Sequence, residues 1–226
     1  MQMIECERQT VQRTEHWYAF RKKYPEMGSA SNVFKHPVNA SSFSKMVFGT
    51  NAERARIWAW HRGLSDAPPG PGQGLRKGLE WGTNLEPCAL VTYLHCKVKR
   101  LGGDAKFYET GLWRLGRMGD ILDFVADSPD GYVIVGGRIR AVEFKCPFWQ
   151  FQGQCPATDP DCRASYILQV HLHMKAIGAR VADLLSWDPF SSTIFEIHFP
   201  DELWGMMEKY LLMSKASLKR LQKPAI

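Results

Sequence analysis

The sequence predicts a single α/β domain in which a mixed central β-sheet is flanked by helices. Three observations predict it. Several segments before residue 100 carry apolar residues at helical spacing, whereas from Lys106 to Ile139 the pattern changes to short β-prone pieces broken by Gly and Asp-Gly signals. A helix, a strand and a basic helix then follow to the C-terminus. The chain has 226 residues, 45% of them hydrophobic, enough to bury a substantial core. It holds no internal repeat or low-complexity tract, so residues 1–226 are read as one domain, with a helical segment over about 1–75 packing on a core over about 76–226.

In chain order, QRTEHWYAFRKKY (12–24) places Trp17, Phe20 and Tyr24 on one helical face and stops before Pro25. GSASNVFKH starts with small residues able to cap a second short helix, and NAERARIWAWHRGL predicts a longer one. The nine residues DAPPGPGQG contain three prolines and three glycines and predict a loop. Helical patterning returns from Leu79 to about Lys99. FYETGLWRL, DILDFVADSPDG, YVIVGG and RAVEFKCPF are the candidate strands and turns, followed by a polar loop. SYILQVHLHMKAIG then predicts a helix, STIFEIHFP a strand, and Asp201 onward the final helix.

Charged residues make up 23% and aromatics 12%, which excludes disordered, collagen-like and coiled-coil chains. No apolar run approaches the roughly 20 residues that span a bilayer, and MQMIECERQT lacks the apolar core of a signal peptide. A soluble intracellular protein with no membrane partner is therefore expected. Lys and Arg outnumber acids by 29 to 23, a net charge of +6, which favours an anionic partner, nucleic acid first. The six cysteines form no C-x2-C pair, so neither a disulfide scaffold nor a zinc or iron–sulfur site is expected. His171 and His173, two apart on a helix, face different ways and are not expected to share a metal.

The chemistry concentrates in SPDGYVIVGGRIRAVEFKCPF, residues 128–148. Strand alternation in VEFKC puts Glu143 and Lys145 on one face and Val142, Phe144 and Cys146 on the other. A hairpin turning at Gly136-Gly137 would bring Asp130 back beside Glu143. Two carboxylates and a lysine suit metal-assisted phosphodiester hydrolysis: a hard divalent cation takes carboxylate and phosphate oxygens, and a lysine can orient water or offset charge in the transition state. Asp127 competes with Asp130 as the first ligand, and the SPDG context favours Asp130.

These segments resemble the PD-(D/E)xK nuclease core, in particular the phage lambda-type alkaline exonucleases, or YqaJ-like viral recombinases. Gly82, Glu86, Ala89 and Tyr93 resemble the family's G-x3-E-x2-A-x3-Y helix, and helix phase after Gly82 favours Glu86 over Glu80 as a third acid. Tyr166 and Gln169 resemble its Y-x2-Q helix beside the site. Trp17, Arg21 and Ser29-Ala30-Ser31 resemble the W-x3-R then T/S-A-S pattern whose Arg and Ser hold a terminal 5′-phosphate, with ten positions between Arg21 and Ser31 where the family's interval can be shorter. Leu79 matches an apolar wedge at the duplex end. The match covers roughly residues 17 to 175 through intermittent motifs.

The resemblance implies a restriction-endonuclease-like core and a Mg²⁺-dependent 5′-to-3′ exonuclease on linear double-stranded DNA, with Mn²⁺ as a substitute ion. Its products would be 5′-mononucleotides and 3′ single-stranded overhangs for viral or phage recombination and genome processing. Asp130, Glu143 and Glu86 are then the expected metal ligands, Lys145 the residue on the attacking water, Gln169 and Tyr166 supports, and Arg21, Ser31 and Ser29 the 5′-phosphate grip. A single-strand annealing protein is the implied partner, the oligomer is open between monomer and homotrimer, and a viral origin would place the protein in host cytoplasm or nucleus. Two other readings stay open: a structure-specific or single-strand DNA/RNA endonuclease on the same fold, and a non-catalytic DNA-binding or annealing accessory protein.

Overall fold

A computed structural model describes residue 15 and residues 36–66, 73–116, 120–148 and 160–220. The helices predicted over 12–24 and 28–36 lie outside this set apart from Glu15 and His36, as do Arg21, Ser29 and Ser31.

The centre is a five-stranded sheet of order β1 (Lys106–Glu109), β4 (Gly131–Val135), β5 (Arg138–Lys145), β6 (Val181–Trp187) and β7 (Ser192–His198). Only β5 and β6 pair in parallel, so the chain needs a crossover between them, and helix α4 (Pro160–Ile177) lies within it. Strands β2 (Trp113–Arg114) and β3 (Ala126–Asp127) form a separate two-stranded ribbon.

Alternation along β5 divides the core. Ala141 faces a cluster with Phe43 and Met46 of helix α1 (Ala40–Phe48), Leu172 and Ile177 of α4, and Trp204 and Leu211 of helix α5 (Asp201–Arg220). Val142 and Phe144 face Ala89 and Tyr93 of helix α3 (Gln73–Tyr93). Helices thus cover both faces, and each fully buried Leu, Ile or Phe contributes about 1.5–3 kcal/mol. Helix α2 (Asn51–His61) agrees with the pattern read in NAERARIWAWHRGL and starts at a reciprocal cap between Thr50 and Glu53.

Several elements differ from expectation. Helix α1 has no counterpart in the sequence reading because its serines dilute the apolar pattern; it forms through the Asn39–Ser42 capping box and by burying Phe43 and Met46. Strand β6 was not expected either. It lies between two strands and under helices on both faces, so Ala182–Leu185 is continuously buried and shows no alternation. Helix α3 begins at Gln73, taking in the last two residues of the predicted DAPPGPGQG loop, and runs through Pro87. Packing outweighs local propensity there: Ala89 and Tyr93 are fully buried in a cluster with Val142 and Phe144 of β5. A π-helical turn, Leu94–Val98, and a last turn, Lys99–Leu101, extend it. Helix α4 starts at Pro160, before the predicted Ser165; proline at a first turn forfeits no hydrogen bond. FYETGLWRL divides between β1 and β2, and of DILDFVADSPDG Ala126–Asp127 forms β3 and the last residue, Gly131, opens β4.

Candidate active site

The β4–β5 hairpin turns on Gly136 and Gly137, whose φ angles of 54° and 71° suit glycine and match a two-residue turn between twisted strands. Its register pairs Gly131 with Val142, which sets Asp130 at the level of Glu143, as the sequence predicted. Gly131 itself is required by close packing: a Cβ there would stand 2.3 Å from Phe107 Cζ. The glycine of SPDG therefore lets the strand carrying Asp130 lie against β1.

Asp130 accepts a hydrogen bond from the Phe144 amide at 2.7 Å. Lys145 Nζ donates to Glu143 Oε1 at 2.5 Å and lies 5.1 Å from the centroid of the Tyr166 ring. Glu143, Lys145 and Tyr166 thus meet on the α4 side of the sheet. Glu86 comes from α3, which packs on the opposite face with Phe144 and Cys146, and its negative charge is still felt by Asp130. Gln169 is half-buried one turn beyond Tyr166; among the described residues no hydrogen bond joins it to the acids. Leu79 is 58% exposed on α3, available to a ligand rather than committed to the core.

Two residues that the sequence reading set aside belong to this cluster. His173 Nδ1 lies 2.5 Å from Asp127 Oδ2, and its Nε2 lies 3.1 Å from Glu143 Oε2, a charge contact whose alignment is not that of a hydrogen bond. Asp127 Oδ1 also accepts the Ala40 amide at 3.0 Å. His171 turns away and meets the Ile167 carbonyl at 2.7 Å, so the two histidines do face differently. The available signal was helix phase: Tyr166 and His173 are seven apart, two turns along one face.

Electrostatics separate the two central acids. Burial raises the Asp130 pKa, and the neighbouring Glu143 charge raises it further. Burial also works against ionised Glu143, but Lys145 and His173 outweigh it and hold this carboxyl well below the usual range. Burial opposes the Lys145 charge too, and Glu143 and Asp130 overcome it, so Lys145 is an ammonium ion. In His173 the desolvation is overcome by Asp127 and Glu143, and its pKa rises to about 10. Burial, with Glu86 and Asp130, pushes the Cys146 thiol up to about 12, so it is no thiolate nucleophile.

Among the described residues, no three His, Cys, Asp or Glu side chains form a ready metal cage. Mg²⁺ does not require one, since it is usually held by one or two carboxylates with water and substrate phosphate completing its shell. Asp130 and Glu143 supply hard oxygen donors in a pair whose mutual repulsion a divalent cation would relieve. The donor set fits such an ion, with Glu86 behind it.

A family model described as the YqaJ-like viral recombinase domain matches residues 16–180. No match is found among curated proteins. Among solved structures, the chain is similar to an alkaline exonuclease, LHK-Exo, from Laribacter hongkongensis, at 21% identity over 92% of this chain and 96% of that one, with a TM-score of 0.59. The same protein in complex with dAMP gives 21% identity, 92% and 93% coverage and a TM-score of 0.61. A phage-related exonuclease from Haemophilus somnus 129PT gives 15% identity, 85% and 97% coverage and a TM-score of 0.58. The fold is that of these exonucleases. No helix among the described residues is long and apolar enough to cross a membrane.

Proposed function

The chain belongs to the YqaJ-like viral recombinase domain family, and on that premise we propose that it is a Mg²⁺-dependent 5′-to-3′ exonuclease of linear double-stranded DNA. The observation that carries the proposal is the pairing of Asp130 with Glu143, joined by Lys145, within the family segment. The fold shared with alkaline and phage-related exonucleases supports a nuclease, and dAMP in the LHK-Exo complex is the kind of mononucleotide such a reaction would release. Mn²⁺ would substitute for Mg²⁺, and the 3′ overhang would pass to a single-strand annealing partner.

Asp130 and Glu143 would hold the ion, with Glu86 adding negative charge behind them. A bound Mg²⁺ would offset charge on the scissile phosphate and acidify the attacking water. Lys145, whose charge its acidic neighbours favour, would orient and help activate water or meet charge developing on phosphate. Tyr166 presents its ring to the lysine from α4, with the centroid 5.1 Å from Nζ. Leu79, exposed on α3, would press on the duplex end, and Arg21 with Ser31 and Ser29 would grip the 5′-phosphate.

The test offers linear duplex DNA labelled at either end, with and without a 5′-phosphate, beside a closed circle, to the wild type and Lys145→Ala in Mg²⁺. Digestion of linear DNA alone, from the 5′ end and lost in the variant, is expected. Cutting of the circle would move the protein to the endonuclease reading. No cutting by the wild type would leave a DNA-binding accessory protein.

A further inference from the structure

Asp127 and His173 take no part in the reaction just proposed, yet both are buried beside its centre, 2% and 4% exposed. Removing an ionisable pair from water costs several kcal/mol per ion unless its contacts are well formed, so the pair calls for a structural reason. The contacts form a chain. The Ala40 amide at the first residue of α1 donates to Asp127 Oδ1; Asp127 Oδ2 meets His173 Nδ1; and His173 Nε2 faces Glu143 Oε2. Four elements, α1, β3, α4 and β5, thereby converge on one carboxylate.

Glu143 is the member of the acid pair that most needs such support. Its other oxygen, Oε1, is engaged by Lys145, a flexible side chain that must also serve substrate. Without His173, the carboxylate could follow Lys145 and rotate away from Asp130. We propose that Asp127 and His173 are positioning residues that hold Glu143 through Oε2, fixing the carboxylate independently of Lys145. The inference rests on the reading of Glu143 as a carboxylate of the nuclease centre. Neither residue is exposed enough to reach DNA, so the brace acts on turnover and not on substrate capture. A core ion pair with no such role would alter melting temperature alone.

The full chain tests this as wild type, His173→Ala, His173→Gln and Asp127→Asn, each assayed for kcat and KM on linear duplex DNA and, without DNA, for Mn²⁺ affinity by calorimetry. Residues that orient metal ligands are worth about 10- to 100-fold in affinity or activity. His173→Ala should therefore lower kcat by about that factor and weaken Mn²⁺ binding about tenfold, with KM within about twofold of wild type. His173→Gln keeps an amide able to donate to Glu143 and should recover part of both losses. Unchanged kcat or unchanged Mn²⁺ affinity in His173→Ala, or a loss confined to KM, would overturn the brace. If His173→Ala does not fold, His173→Gln and Asp127→Asn decide instead: wild-type kcat and Mn²⁺ affinity in both overturn it, and reduced values at a normal melting temperature uphold it. A wild type that binds Mn²⁺ but cuts nothing would refute the nuclease reading, while equal Mn²⁺ affinity in wild type and variant would separately refute the brace.

Discussion

Glu143 on β5 and Asp183 on β6 are buried acids on adjoining strands that point to opposite faces of one sheet, and their surroundings are built to different ends. Asp183 pairs in register with Val142 and so faces α3. There Tyr93 donates to its Oδ2 at 2.7 Å, Arg140 donates to its Oδ1 at 2.9 Å, and Lys97 lies 3.6 Å away. Glu196 completes the cluster by meeting both cations, giving two acids and two bases. Around Glu143, among the described residues, the acids Asp127 and Asp130 stand with Lys145 and His173, the charge of Glu86 also reaches Asp130, and the Asp130 pKa is raised. A cluster that only stabilises a fold closes on itself; one in which neighbouring carboxylates raise the pKa of a buried acid is relieved by a cation.

The largest test of this contrast removes the closed cluster's centre. Asp183→Ala should cost about 3–5 kcal/mol of stability in urea unfolding, because Arg140 and Lys97 lose their buried partner. A loss under about 1 kcal/mol would show that Asp183 is dispensable. Next, Lys145→Ala should lower kcat by about 10²- to 10³-fold with the fold intact by circular dichroism. Comparable loss of activity in a folded Asp183→Ala would erase the distinction between the two faces.

Adding Mg²⁺ sharpens it further. At a hundred times its dissociation constant the ion should stabilise the wild type by about 2.7 kcal/mol in thermal unfolding, and should not stabilise an Asp130→Asn, Glu143→Gln double variant. The smallest effect belongs to Glu196, whose side chain is 42% exposed. A hydrogen bond from Lys97, followed by the charge of Arg140, lowers its pKa when folded. Its contribution is therefore present above the unfolded value near 4.5 and is lost as pH falls through the lower folded value. For so exposed a group it should stay below about 1 kcal/mol; Glu196→Gln should flatten the stability profile below about pH 5 by that amount.

The legible and hidden parts of the molecule divide along the same physical line. Asp130, Glu143 and Lys145 could be read because a hairpin is local: alternation sets the face, and Gly136-Gly137 sets the register. The Gly82, Glu86, Ala89, Tyr93 face could be read from helix period, and Ala89 and Tyr93 are indeed fully buried. Helix α1 and strand β6 were hidden because their burial comes from distant partners. Serines weaken the first pattern, and cover on both faces removes alternation from the second. Asp127 lost to Asp130 on local context, although both residues stand in the cluster.

Local periodicity and turn chemistry were thus enough to suggest the class of fold and the acid–acid–lysine set, the latter written within some twenty residues of chain, while the family resemblance came from motifs spread over residues 17 to 175. Which acids share a cluster, that Asp127 reaches His173 across 46 positions, and that Asp183 is closed while Glu143 is not, were settled only when α3 and α4 packed on opposite faces of the sheet. Burial is what turns those contacts into energies: the same charges in water would hardly notice one another, and packing alone decides which of them leave it.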